Sequence, residues 1–103
     1  MDERGHVEPA VRWRVARHVL MRCWDGEVLA YNDVTGHTHH FMDLAAWMFE
    51  QLAAHAQAEA ELLAVAVAEL ELPKGGDLAA SVRNSLRLFE RHSLLEAVPA
   101  GCS

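Results

Sequence analysis

Asp25-Gly26 sets the first constraint on this chain. It lies between two apolar runs, residues 19–24 and 27–31. A two-residue Asp-Gly link is a strong hairpin signal, because the turn whose twist matches two antiparallel strands needs positive φ at both central positions. The link also fixes register: position 24 faces 27, 22 faces 29 and 20 faces 31. Asn32-Asp33-Val34-Thr35-Gly36 is a second, longer turn, in which Gly36 is free to take the left-handed conformation of a bulged hairpin. A short third strand, 37–42, then runs into Asp43, a residue suited to cap a helix beginning at Leu44. Three antiparallel strands leading directly into helix are therefore expected.

Alternation along the hairpin gives it two unlike faces. Val19, Met21, Cys23, Val28 and Ala30 form a uniformly apolar face and the expected core. Leu20, Arg22, Trp24, Glu27, Leu29 and Tyr31 form the other, which is too apolar and aromatic to be simply wet. Trp24, Leu29 and Tyr31 mark it as a partner or dimer face. Its cover is either a second protomer or the N-terminal arm through Trp13 and Val15, and the arm is the simpler solution. The arm alternates apolar and basic residues over 11–17, as an edge strand or an extended cover would, with Arg12, Arg14 and His18 on the wet side.

Three helices follow. Helix one, about 44–54, presents Leu44, Trp47, Met48 and Leu52 at helical spacing. Helix two, about 58–71, turns Leu62, Leu63, Ala66, Val67 and Leu70 inward and Glu59, Glu61, Glu69 and Glu71 outward. Pro73 with Gly75-Gly76 ends it. Asp77 caps helix three, which runs to about His92 on a seam of Leu78, Val82, Leu86 and Phe89. Residues 94–98 read as a final short strand or extended cover. The expected architecture is α+β: a winged-helix-turn-helix-like domain with a three-stranded antiparallel sheet followed by three helices. The domain spans 12–98, between tails at 1–11 and 99–103.

At 103 residues there is room for one modest core. No apolar run approaches the roughly 20 residues of a membrane span, and no secretory signal pattern opens the chain. Two cysteines, Cys23 and Cys102, make no disulfide framework, so a cytoplasmic, reduced setting is the expectation. The net charge of −6 is unevenly spread: residues 23–73 hold nine acids and no Lys or Arg. Such a middle would repel a phosphate backbone.

Candidate chemistry is sparse. His37 and His39 share a strand face about 6.6 Å apart, but two imidazoles with no acid or cysteine at local spacing are half a zinc site, so no metal or other cofactor is expected. Cys23 sits in the expected core strand and reads as a small buried hydrophobe. Ser81 and Ser85 have no base within helical reach, and no phosphate loop or dinucleotide fingerprint occurs. The chain reads as a non-enzyme. Arg83, Arg87 and Arg91 form a basic stripe on helix three. A winged-helix DNA-binding regulator would use such a stripe, although the acidic helix two disfavours nucleic acid. A short third strand at a sheet edge offers unpaired backbone groups to an extended peptide. Ser81, Asn84 and Leu88 lie together on one flank of helix three, as a groove wall would.

The run "WDGEVLAYNDVTGHTHHFMDLAAWMFEQL" resembles the PqqD family, most closely the PqqD-like peptide chaperones of HPr-kinase-related (HPr-rel-A) systems, a RiPP recognition element type of domain. The matching features are the Trp-Asp hairpin, the Tyr-x-x-x-Thr-Gly-x-Thr-His strand pair and the Leu-Ala-Ala helix start, and the resemblance covers about residues 12–96. It implies a peptide chaperone that holds the leader of a ribosomally made precursor as a strand between the third strand and third helix, and presents it to a modifying enzyme of radical-SAM or HPr-kinase-related type. Carried onto this chain, Thr38, His39, His40 and Phe41 belong to the strand wall by motif. Ser81, Asn84 and Leu88 supply the helix wall by the wheel argument alone.

Overall fold

A computed structural model describes residues 11–71 and 76–99. Its elements, in order, are β1 (Val11–Val15), β2 (Val19–Trp24), β3 (Glu27–Asn32), β4 (Thr38–Met42), α1 (Asp43–Ala54), α2 (Glu59–Glu69), α3 (Gly76–Arg91) and β5 (Leu95–Pro99). The fold is α+β, three antiparallel strands followed by three helices, with one addition: β1 pairs antiparallel with β5 in a separate two-stranded ribbon. The ribbon takes in Val11 and Pro99, one residue beyond each expected domain boundary. The tails at 1–10 and 100–103, Cys102 and the Pro73-Gly75 loop lie outside the described residues.

The hairpin forms in the register its turn dictates. Asp25 at φ 44 and Gly26 at φ 75 supply the two positive values, and Trp24 pairs with Glu27, Arg22 with Leu29 and Leu20 with Tyr31. Gly36, at φ 80, closes the second turn. Its other clamp is Asn32, fully buried, whose Oδ1 accepts from the backbone N–H of Val34 at 2.9 Å and Thr35 at 3.2 Å. Asn32 Nδ2 donates to the carbonyls of His92 (2.9 Å) and Ser93 (3.3 Å), tying the β3–β4 turn to the C-terminus of α3. His18 Nε2 donates to the same Ser93 carbonyl at 2.8 Å.

The core fills the space between the inner sheet face and the helices. Val28, Ala30 and Phe41 from the sheet meet Met48, Phe49 and Leu52 of α1, Leu62 and Ala66 of α2, and the expected α3 seam of Leu78, Val82, Leu86 and Phe89. Phe41, Phe49 and Phe89 form a triangle of rings with centroids 4.8 to 5.4 Å apart, tilted or edge-to-face as ring quadrupoles prefer. Leu63, Val67 and Leu70 are only partly buried against this core.

Four expectations are corrected. Asp77 does not cap α3 but lies inside its first turn, one residue after Gly76. Asp43 is not the N-cap of α1. Met42 holds that position without a side-chain cap bond, and Asp43 is the first helical residue, at φ 56. The strand runs into the helix with no intervening residue, and the left-handed step that makes this turn falls on Asp43, a residue type that tolerates it. Cys23 is exposed, not core. Alternation puts it on the inner face, but it lies near the hairpin tip; partial desolvation, with a smaller contribution from Glu50, raises its thiol pKa. The N-terminal arm does not cover the outer sheet face. β1 is held by β5 and by mutual backbone bonds between Trp13 and Gln57 (2.8 and 2.9 Å), so Trp13 and Val15 pack against the core instead.

Candidate functional site

β3 and β4 pair in register from Glu27↔Met42 to Tyr31↔Thr38. The Asn32 N–H bonds the His37 carbonyl at 2.9 Å, marking the next pair along as hydrogen-bonded. Antiparallel pairs alternate between hydrogen-bonded and non-bonded. His39 and Phe41 therefore spend their backbone groups on β3, whereas Thr38, His40 and Met42 turn theirs outward. β4 is an edge of its sheet, ordered β2-β3-β4, and no strand among the described residues pairs on its far side.

Side chains follow the same two-residue period. His39 and Phe41 point inward and meet α3: Phe41 contacts Phe89 (4.8 Å between centroids) and the His39 ring lies 4.4 Å from that of His92. His39 also stacks on Phe41, 6.3 Å away, and meets His37 edge-on at 6.4 Å. Partial desolvation, with smaller contributions from His92 and His37, lowers the His39 pKa below its ordinary value. This favours the neutral form of the His39 ring. No group of three or more His, Cys, Asp or Glu among the described residues is arranged to hold a metal ion.

Thr38 and His40 face the other way. His40 Nε2 lies 2.6 Å from Glu27 Oε1, and its ring stacks on Trp24 at 6.3 Å. They join the outer face, where Leu20 (63% exposed), Met42 (54%), Trp24 (42%) and Tyr31 (37%) are open to solvent and Leu29 is half-buried. Leu20, Arg22, Leu29, Tyr31 and Thr38, with Met21 of the same strand, line a shallow depression there of about 390 Å³. The three residues expected to mark a partner face thus lie together on a surface that no described element covers.

The expected helix wall is exposed as well. Ser81, Asn84 and Leu88 are all on the surface of α3, Leu88 at 37% exposure. Leu88 leads directly to His92, whose N–H bonds the Leu88 carbonyl at 3.2 Å, so the flank ends where His92 meets β4. The ring contacts between strand and helix are made by His39 and Phe41 with His92 and Phe89. Among the described residues, no hydrogen bond joins Ser81, Asn84 or Leu88 to β4. Neither His92 nor Asn32 carries a site signal in the sequence. Asn32 reads as an ordinary turn residue, and His92 is remote from β4 in the chain.

The basic stripe is only partly free. Arg83, Arg87 and Arg91 are exposed, but Arg83 Nε reaches Glu59 Oε2 of α2 at 3.3 Å. The acidic helix that sequence set against nucleic acid is in contact with the stripe. Among the described residues, no helix is long and apolar enough to cross a membrane.

The strand edge beside a helix flank defines the class of fold to which the chain is similar. One solved structure, "TbiB1 in Complex with the TbiA(beta) Leader Peptide", superposes on 87% of this chain and 98% of its own, with a TM-score of 0.71 at 19% identity. That likeness establishes a shared fold. No protein-family model and no curated protein matches the chain.

Proposed function

We propose that this chain is a non-catalytic recognition domain that binds the leader segment of a ribosomally synthesised precursor peptide by strand addition and presents it to a modifying enzyme. The observation that carries this reading is the free edge of β4, with the backbone groups of Thr38, His40 and Met42 turned outward next to α3. An extended peptide added there gains a ladder of main-chain hydrogen bonds, while side chains alternately facing β4 and α3 provide discrimination. The fold shared with a protein solved in complex with a leader peptide supports the same reading. So does the resemblance to PqqD-like chaperones of HPr-kinase-related systems, which supplies the finer proposal that the partner enzyme is of that type or a radical-SAM enzyme. The DNA-binding alternative is weaker, because the stripe that would meet phosphate is adjoined by Glu59 and the chain carries a net charge of −6.

An amide-resolved NMR titration tests it, with leader peptides and a random duplex compared at low and moderate salt. Shifts at Thr38–Met42 and along Ser81–Leu88 with peptide alone are the expected outcome. Shifts confined to Arg83, Arg87 and Arg91 with duplex, fading as salt rises, would replace this reading with nucleic-acid binding.

A further inference from the structure

The free edge of β4 ends at a pocket. Met42, the last outward-facing residue of the strand, lines a cavity of about 480 Å³ together with Asp25, Gly26, Glu27, Asp43, Leu44, Trp47 and Leu70. Its apolar walls are the thioether of Met42, the half-buried Leu44 and Trp47 of α1, and Leu70 beyond α2. The volume admits one long side chain with water around its head, and falls at the lower end of ligand pockets. Three acidic residues from three different elements are among its lining: Asp25 from the β2–β3 turn, Glu27 from β3 and Asp43 from α1.

From the strand addition proposed above, we infer that this pocket receives one long basic side chain, lysine or arginine, from the bound peptide and sets its register on β4. The occupant follows from position and charge together. Met42 both lines the pocket and turns its backbone groups to the edge, so a strand paired to β4 there can offer one of its own side chains to the pocket. A long aliphatic stem covers Leu44, Met42 and the Trp47 ring while the charged head stays among the carboxylates at the rim. An indole face adds attraction for a cation. The N-terminus of α1 opens into the same region, and its partial positive charge of about half an elementary unit opposes this. Three carboxylates outweigh it, even with Glu27 shared with His40, and Asp43 stands in the first turn of that helix. All eight lining residues fall within 25–70, a span that contains no lysine or arginine to compete with an incoming cation.

Selection from a display library of random 15-residue peptides tests this on the intact chain. The wild-type protein is expected to enrich peptides with lysine or arginine at one fixed position relative to an apolar, extended motif. The double variant Asp25→Asn, Asp43→Asn keeps residue types that tolerate both left-handed conformations, and circular dichroism checks its fold. It is expected to lose the basic preference while still protecting the Thr38, His40 and Met42 amides. A selected peptide should bind the double variant about three- to tenfold more weakly, an effect that shrinks with salt. Peptides that protect the β4 amides but show no basic position, or an unchanged preference in the double variant, would overturn this inference and leave strand addition standing. A wild-type selection that yields no peptide protecting β4 would overturn both.

Discussion

The two faces of the three-stranded sheet carry similar amounts of apolar side chain and meet opposite fates. On the inner face Val28 and Ala30 are fully buried and Phe41 nearly so, sealed by all three helices. On the outer face Leu20, Trp24, Tyr31 and Met42 remain open, although the same alternation places them beside one another. Hydropathy alone does not separate a face that is core from a face that is surface. The separation comes from where the chain goes next: α1 leaves β4 toward the inner side, and β1 is engaged by β5 rather than by the outer face.

The largest expected effect breaks this asymmetry at its deepest point. Phe89→Ala removes one ring of the Phe41–Phe49–Phe89 triangle and should lower stability by about 3–5 kcal/mol in urea unfolding. Leu20→Ser, on the outer face, should change it by less than about 0.5 kcal/mol. A loss above about 1 kcal/mol for Leu20→Ser, dependent on protein concentration, would mean that a second copy covers the outer face in solution.

A smaller loss is expected at Asn32, the polar residue that joins the sheet to α3. Asn32→Ala leaves the Val34 and Thr35 N–H groups without their acceptor and takes the amide donor from the His92 and Ser93 carbonyls, the latter still held by His18. It should lower stability by about 1–3 kcal/mol, and hydrogen exchange should quicken in the β3–β4 turn and at the end of α3 together.

The smallest effect is a pH dependence at His39. Its folded pKa lies below its ordinary value, so the unfolded chain takes up the proton first as pH falls. The stability from neutral His39 is present above the unfolded pKa of about 6.5 and is lost as pH falls through the lower folded value. His39→Phe should flatten the decline in urea midpoint between neutral pH and pH 5 relative to wild type. An unchanged slope would place the acid sensitivity at another histidine.

Much of the fold was legible because its signals are local. Asp25-Gly26 fixed the register of β2 and β3, and the 3.6-residue period of Leu78, Val82, Leu86 and Phe89 located the buried seam of α3. The failures are those of position rather than period. Alternation assigns Cys23 to the inner face but cannot say that this end of the face stays exposed. β1 and β5 are joined across nearly the whole chain, and nothing in either strand names the other. The strand wall of the candidate groove carries a motif, whereas its meeting point with α3, His39 against His92, is a contact between remote residues with no sequence signature. Asn32 shows the same gap, since a turn asparagine looks alike whether its amide meets water or a helix end.

The free edge of β4 also bears on how the protein keeps to itself. An unpaired strand that welcomes a peptide is equally a template for a second copy of the same strand, the usual first step toward sheet-to-sheet aggregation. Here the strand is five residues long and is cut off at Met42 by the left-handed step at Asp43. Only Thr38, His40 and Met42 offer outward backbone groups, too few for two copies to form a lasting ladder from pairing alone. Brevity thus limits self-pairing at this edge, and any partner lasting there would have to bring side-chain contacts as well.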